Sequence, residues 1–265
     1  MERRTALVTG ASSGIGAAFA EVFAARGFDV VVTARREARL RTLASLLEER
    51  YNVKVHVLPE DLRDPAATDR LCSEVARRGL TIDALVNNAG YGVPGLYAST
   101  SWQQQSEFLQ VLGRSVAELT HRLFPDMLDR RYGRIINVSS LAGLLPAPAG
   151  HTLYAAVKAF VIRFSEALSH EGKHHGVHVT AVCPGFTLSE FHDLTRTRDK
   201  VSRLPKFMWM DAASVARGGV DAVMRGQTLY IPGRVNRLIA TFGRHLPYGL
   251  VYWLMRRFAW SYRKN

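Results

Sequence analysis

The feature that most narrows what this chain can fold into is the turn Thr9-Gly10-Ala11-Ser12-Ser13-Gly14-Ile15-Gly16. A short apolar run leads directly into it, and an alanine-rich helical pattern leaves it. Glycine tolerates tight, left-handed turns and lets the backbone come close to a bound group. A helix starting there offers unpaired N–H groups and a partial positive charge to an anion. Many turns are rich in glycine. One placed between a first strand and a first helix reads as the pyrophosphate cradle of a dinucleotide-binding unit.

The rest of the chain repeats that strand-then-helix unit. Ala6-Leu7-Val8, Val30-Val31-Val32, Val53 to Leu58, Ala84-Leu85-Val86, Ile135-Ile136-Asn137-Val138 and Val177 to Val182 read as strands. Helical spacing fills Ala17 to Arg26, Arg39 to Arg50, Asp69 to Arg78, Phe108 to Arg130 and Leu153 to Glu171. Short strands apolar on both faces, alternating with helices, predict a parallel sheet covered on both sides. The fold class is therefore α/β, a doubly wound Rossmann sheet. No linker divides it, so residues 1–233 are read as one domain and 234–265 as a basic, apolar C-terminal extension. The stretch of about 190–212 is too long for a plain connection and reads as a substrate lid.

The end of the second strand bears on which dinucleotide is bound. An acid about 20 residues beyond the glycine turn usually holds the ribose 2′-hydroxyl of NAD. Here the sequence is Thr33-Ala34-Arg35-Arg36, which brings no negative charge and supplies guanidinium forks for a 2′-phosphate. Glu37 is the nearest acid and belongs to the first turn of the next helix. NADP(H) is expected over NAD(H).

Tyr154 and Lys158 lie four apart on a helical pattern, so phenol and ammonium share one face. A free tyrosine has a pKa of about 10, and a neighbouring Lys⁺ together with a nicotinamide's positive charge is expected to lower it. Ser139 and Ser140 end the fifth strand, at the carboxyl edge where sites of α/β sheets lie.

With these pieces in order, the chain resembles the short-chain dehydrogenase/reductase family over residues 5 to 235. The resemblance is carried by TGASSGIG (Thr9 to Gly16), DLRD (Asp61 to Asp64), NNAG (Asn87 to Gly90), GRIINVSS (Gly133 to Ser140), YAAVK (Tyr154 to Lys158) and CPGFTLSEF (Cys183 to Phe191). TARREARL and FMWMDA look like the bacterial-type branch with broad carbonyl substrates. The resemblance implies that Gly10, Ser12, Ser13, Gly14, Ile15 and Gly16 cradle the pyrophosphate and adenine ribose, and that Arg35 holds the 2′-phosphate. It implies that Asp61 and Leu62 border the adenine, and that Asn88, Ala89 and Gly90 line the ribose. Pro184, Gly185, Thr187 and Ser189 would position the nicotinamide carboxamide. Ser140 would hold the substrate oxygen, Tyr154 would exchange its proton, and Lys158 would bind the nicotinamide ribose. A homodimer or homotetramer is the family's habit.

Leu112 stands where the family usually has an asparagine that helps relay protons to solvent. Ser140 lies one residue further from Tyr154 than is usual, and Val157 and Ser189 replace commoner hydroxyl residues. Leu112 motivates an alternative, a catalytically weak NADPH-binding scaffold or sensor.

Composition sets the outer limits. With 47% hydrophobic and 22% charged residues among 265, the chain is neither disordered nor a multi-span membrane protein. Cys72 and Cys183 are too few for a disulfide framework, and the histidines around His170 to His178 suit a helix end, so no metal is expected. Thr5 to Thr9 is too short for the core of a secretory signal, and a cytoplasmic location is expected. From Ala222 to Asn265 there is no acid but eight basic residues, which carry most of the net charge of +12. Three readings of this tail stay open: cover for the cleft or a second subunit, contact with an anionic membrane surface, or nucleic acid. No nucleic-acid reading module accompanies the charge, so that partner is not expected. The aromatic content of the segments around the cleft points to an apolar carbonyl or alcohol as substrate.

Overall fold

The computed structural model describes residues 3–147, 149–150, 152–188 and 208–261, with the main chain alone for 258–261. Its first half runs β1 (Thr5–Thr9), α1 (Gly14–Ala25), β2 (Asp29–Thr33), α2 (Glu37–Tyr51), β3 (Val55–Val57), α3 (Ala67–Arg77) and β4 (Ile82–Asn87). Next come α4 (Trp102–Leu109), a π-helical turn (Gln110–Arg114), α5 (Ser115–Asp129), β5 (Gly133–Val138), α6 (Thr152–Gly172) and β6 (Val177–Val182). The last part holds β7 (Thr187–Leu188), β8 (Met210–Asp211), α7 (Ala212–Met224), β9 (Leu229–Tyr230), α8 (Arg234–His245) and α9 (Tyr248–Ser261).

Seven strands form a parallel sheet in the order β3-β2-β1-β4-β5-β6-β9. Successive strand residues point to opposite faces. Ala6, Val8, Val30, Val32, Val86 and Ile136 pack against α1, α2 and α7, while Leu7, Val31, Leu85 and Ile135 pack against α3, α5 and α6. Each fully buried Leu or Ile among them contributes roughly 2 kcal/mol through area removed from water. Helix α1 shows how the pattern works locally. Gly16, Phe19, Ala20, Phe23 and Ala24 repeat at helical spacing and are all buried. Gly27, with φ of +78°, then lets the chain leave in a left-handed turn.

The doubly wound sheet is as expected, and three elements differ from the sequence reading. The helix expected over Phe108 to Arg130 is interrupted by the π turn. Strand β9 is two residues long and pairs with Ala181 and Val182, a contact that no local pattern signals. Strands β7 and β8 form a separate small parallel pair. Residues 189–207, most of the expected lid, lie outside the described residues.

A buried polar cluster ties the second half of the sheet to its helices. Asn87 and Asn137 are register partners on β4 and β5. Asn87 Nδ2 donates to Asn137 Oδ1 at 2.8 Å and to Thr120 Oγ1 at 3.1 Å, and Asn137 Nδ2 donates to Ser165 Oγ at 2.9 Å. Both strands thereby hold α5 and α6 through neutral hydrogen bonds. Asn137→Ala removes one hydrogen bond from Asn87 and one from Ser165, each of which keeps another partner, and is expected to destabilise by about 1–3 kcal/mol, read as a lower urea midpoint at unchanged m-value.

Candidate active site

The strand order reverses between β1 and β4, and ligands of open α/β sheets bind in the crevice outside the carboxyl ends at that point. Thr9 closes the crevice floor. Its hydroxyl accepts from the backbone N–H of Asn88 at 2.9 Å and of Ala89 at 3.0 Å, and donates to the Val86 carbonyl. Asn88 Nδ2 donates to the Thr9 carbonyl at 3.0 Å. The glycine turn is thus pressed onto the Asn88-Ala89-Gly90 segment. A Cβ on Gly10, whose φ is +66°, would lie 2.8 Å from Ala89 Cα, and one on Gly16 would strike Gly10 and Asn88. Gly14 also has positive φ, at +56°. Ser13 starts α1 without a side-chain cap, and no acid stands in the first turn. The first-turn amides beside Ser12, Ser13 and Ile15 therefore suit an anion.

Beside this turn, Arg36 Nη2 donates to Ser12 Oγ at 3.0 Å and to Ser13 Oγ at 2.9 Å. Arg35 is exposed at the end of β2, close enough to Asp61 to act on it electrostatically. Glu37 pairs with Arg41, one helical turn on. Burial pushes the Asp61 carboxyl up, but hydrogen bonds from Arg63 hold it below the usual range. Leu62 is buried with Phe108 and Leu112.

Ser140, Tyr154 and Lys158 are brought together from β5 and α6. Ser140 Oγ accepts from Ala142 N at 3.2 Å, which starts a short 3₁₀ turn (Leu141–Gly143), and the Ser140 side chain is hydrogen-bonded to that of Tyr154. That turn lies against α6: a Cβ on Gly143 would come within 2.6 Å of the Lys158 carbonyl carbon. Ser139 Oγ donates to the Lys158 carbonyl at 2.7 Å, which fixes α6 against the strand end. Lys158 is buried, with Nζ donating to the Val138 carbonyl at 2.8 Å and lying 5.8 Å from the Tyr154 ring centre.

The electrostatics differ from the sequence expectation in one respect. Burial raises the Tyr154 pKa, and the Ser140 hydrogen bond offsets this only in part. Among the protein's own groups desolvation sets the direction at Tyr154, and Lys158 Nζ is engaged by the Val138 carbonyl. Burial also drops Lys158 to about 8 and pushes the neighbouring Cys183 thiol up to about 12. Cys183 is a fully buried small residue, as its sequence position suggested, and it lies against this pair.

Pro184, Gly185 and Thr187 follow β6 along the same edge. The Pro184 carbonyl accepts from Leu141 N at 2.9 Å, and Thr187 Oγ1 donates to the Gly185 carbonyl at 3.2 Å. Ser189 lies outside the described residues. The sequence reading offered Arg36 beside Arg35 as a guanidinium fork but did not foresee its bonds to Ser12 and Ser13. It missed Asn236 of α8, buried against Gly185, where a Cβ would fall 2.5 Å from Asn236 Oδ1. Asn236 Nδ2 donates to the Pro232 carbonyl at 2.9 Å and reaches Met210 Sδ at 3.4 Å. Asn236 sits in a stretch read as an extension, and its contact is purely tertiary. Leu112, in the π turn, is 1% exposed and packed with Phe108, Val157 and Tyr154.

Fold and site together define a doubly wound, dinucleotide-type crevice with a Ser-Tyr-Lys constellation at its edge. Residues 4–200 match the sequence profile of the short chain dehydrogenases, and the chain belongs to that family of oxidoreductases acting on CH–OH and C=O groups. It is 34% identical over 202 residues to a very-long-chain 3-oxoacyl-CoA reductase of Bos taurus, covering 74% of this chain and 64% of the bovine one. A short-chain dehydrogenase from Sphingobium yanoikuyae in complex with NADPH superposes with a TM-score of 0.81 at 31% identity, over 91% of this chain and 93% of that one. The bulky-bulky ketone specific alcohol dehydrogenase from Comamonas testosteroni superposes with a TM-score of 0.77 at 28% identity, over 93% and 96% of the two chains.

The buried ammonium has a consequence for stability. Lys158 titrates near 8 when folded and near 10.4 when unfolded, so between those values the unfolded chain binds the extra proton. The cost of burying the charge is complete below pH 8 and fades as pH rises through that window. Lys158→Met is expected to stabilise the protein by roughly 2–3 kcal/mol at pH 7 and by far less at pH 10.5, measured by urea unfolding at both values.

Proposed function

We propose that the protein is an NADP(H)-dependent oxidoreductase that interconverts a carbonyl and a secondary alcohol on an apolar small molecule. The observation that carries this reading is the convergence of Ser140, Tyr154 and Lys158 at the carboxyl edge of the parallel sheet, the edge that also carries the glycine turn. The crevice suits a dinucleotide: Gly10 and Gly16 leave no room for side chains, and the first-turn amides of α1 lack a side-chain cap. Gly10, Ser12, Ser13, Gly14, Ile15 and Gly16 would hold the pyrophosphate side, with Asp61 and Leu62 at the adenine and Asn88, Ala89 and Gly90 at the ribose. Arg35 would meet the 2′-phosphate. Arg36, bonded to Ser12 and Ser13, would share that load. Pro184, Gly185, Thr187 and Ser189 would orient the carboxamide.

When bound, the nicotinamide supplies the hydride. The protein supplies geometry and the proton. Ser140 donates a hydrogen bond to the substrate oxygen, which becomes more basic as negative charge grows on it. A tyrosine phenol is protonated near neutral pH, burial favours that form further, and Tyr154 would give its proton to that oxygen as general acid. In the oxidative direction the same proton returns. Lys158 would hold the ribose hydroxyls and keep positive charge beside Tyr154. The likenesses to a very-long-chain 3-oxoacyl-CoA reductase and a bulky-bulky ketone specific dehydrogenase support a large apolar carbonyl as substrate. A homodimer or homotetramer belongs to the same proposal.

Leu112 favours a second reading, since a buried leucine relays no proton. In that case the chain binds NADPH but turns over weakly, as a scaffold or sensor. Fluorescence titration with NADPH and NADH in parallel tests the cofactor. Tight NADPH and weak NADH are expected, with the difference reduced roughly tenfold or more in Arg35→Ala and Arg36→Ala. Tyr154→Phe should retain NADPH binding and lower kcat on a confirmed ketone by at least about a hundredfold. Brisk wild-type turnover that disappears in this variant excludes the scaffold reading, and turnover unchanged in the variant excludes Tyr154 as the acid.

A further inference from the structure

Helix α8 presents two chemically different sides. Asn236 and Ala240 are buried, and Gly243 packs so closely on Leu145 that a Cβ there would collide with it. This side touches the Gly185 loop and the segment that follows the Ser140 turn. Away from it, Leu238 and Phe242 are 57% and 59% exposed. Pro247 then separates α8 from α9. Helix α9 buries Val251 but leaves Tyr248, Leu250, Tyr252, Trp253 and Leu254 exposed.

Arg234, Arg237, Arg244, Arg256 and Arg257 stand exposed among these apolar side chains. Elsewhere arginines are matched by acids, as in Arg41–Glu37, Arg50–Glu21, Arg70–Glu60 and Arg130–Asp83. Among the described residues, none of the five on α8 and α9 has an ion-pair partner, and no acid occurs from Ala222 to Asn265. Arg257 instead lies 5.7 Å from the Trp253 ring centre. The patch therefore joins exposed apolar and aromatic area to positive charge that has no ion-pair partner among the described residues.

We propose that α8 and α9 form a peripheral docking surface for an anionic lipid bilayer. Tyr248, Tyr252 and Trp253 suit the boundary between headgroups and acyl chains. Leu238, Phe242, Leu250 and Leu254 insert into it, and the arginines meet lipid phosphates. Among the described residues no helix is long and apolar enough to cross a membrane, and seating in the interface requires none. A second copy of the chain fits less well. A two-fold interface would bring this acid-free patch against itself, arginine facing arginine. Because the inner side of α8 contacts the Gly185 and Leu145 segments, docking brings the candidate active site close to a phase in which an apolar carbonyl dissolves.

The full-length protein is sedimented with phosphatidylcholine vesicles and with vesicles containing about 30% phosphatidylserine, at low salt and at about 0.5 M salt. Co-sedimentation with the anionic vesicles, little with the neutral ones, and release by salt are expected. Arg237→Gln/Arg256→Gln/Arg257→Gln should weaken binding by roughly tenfold or more, and Phe242→Ser/Trp253→Ser should weaken it comparably. Both variants should keep the wild-type thermal midpoint and NADPH titration, since these side chains lie outside the crevice. Failure to bind either vesicle, equal binding to both, or undiminished binding by the triple variant overturns the proposal. So does an oligomer that dissociates in Phe242→Ser/Trp253→Ser without vesicle binding, which assigns the surface to a second copy.

Discussion

The structure turns on the join between β1 and β4, and that join rests on one hydroxyl. Neighbouring parallel strands whose connections leave in opposite directions must part beyond their carboxyl ends. Thr9 limits the parting by taking the N–H groups of Asn88 and Ala89 while bonding the Val86 carbonyl. The glycine turn is then held so near the following segment that positions 10 and 16 admit no side chain. Everything else in the site is placed relative to this floor. The segments leaving β5 and β6 emerge at the same sheet edge, where Leu141 N bonds the Pro184 carbonyl. Ser140 and the Gly185 loop are therefore fixed to each other before any ligand contributes.

The site keeps two kinds of buried polar group, and the difference bears on function. Asn87, Asn137, Thr120 and Ser165 are neutral and bonded to one another, with Asn87 Oδ1 the one amide oxygen of the two asparagines left without a partner. Lys158 is a cation with a single carbonyl as its hydrogen-bond partner among the described residues. Burial works against its charge, and a methyl-terminated side chain of similar length would fill the space at lower cost. A fold does not need a lysine there. The neighbouring Tyr154, held against Ser140 with a raised pKa, is likewise not explained by packing alone. Two buried titratable side chains so placed at the carboxyl edge support the proposed acid–base role.

Much of this was legible in the sequence because the signals were local. Strands buried on both faces read as plain apolar runs, and Val177 to Val182 appears with the expected bounds. The order of motifs placed Ser140, Tyr154 and Lys158 together. What stayed hidden is set by distant contacts. Leu229 and Tyr230 become a strand because they meet Ala181 and Val182. The π turn divides a helix whose periodicity runs through it without a break. Arg36 and Arg35 are equivalent as charges in sequence, and only the fold sets Arg36 on Ser12 and Ser13.

Asn236 shows why the residues after 233 cannot be weighed apart from the site. By composition the tail is a separate piece, since it is basic, aromatic and free of acids. By contact it is not. Asn236 fills the space beside Gly185, bonds the Pro232 carbonyl, and reaches Met210, whose N–H is bonded to the Phe186 carbonyl. One buried amide thus lies against both the Gly185 segment and the Met210 end of the β7–β8 pair. The helix whose outward arginines have no ion-pair partner among the described residues is the same one that braces the crevice inward through Asn236.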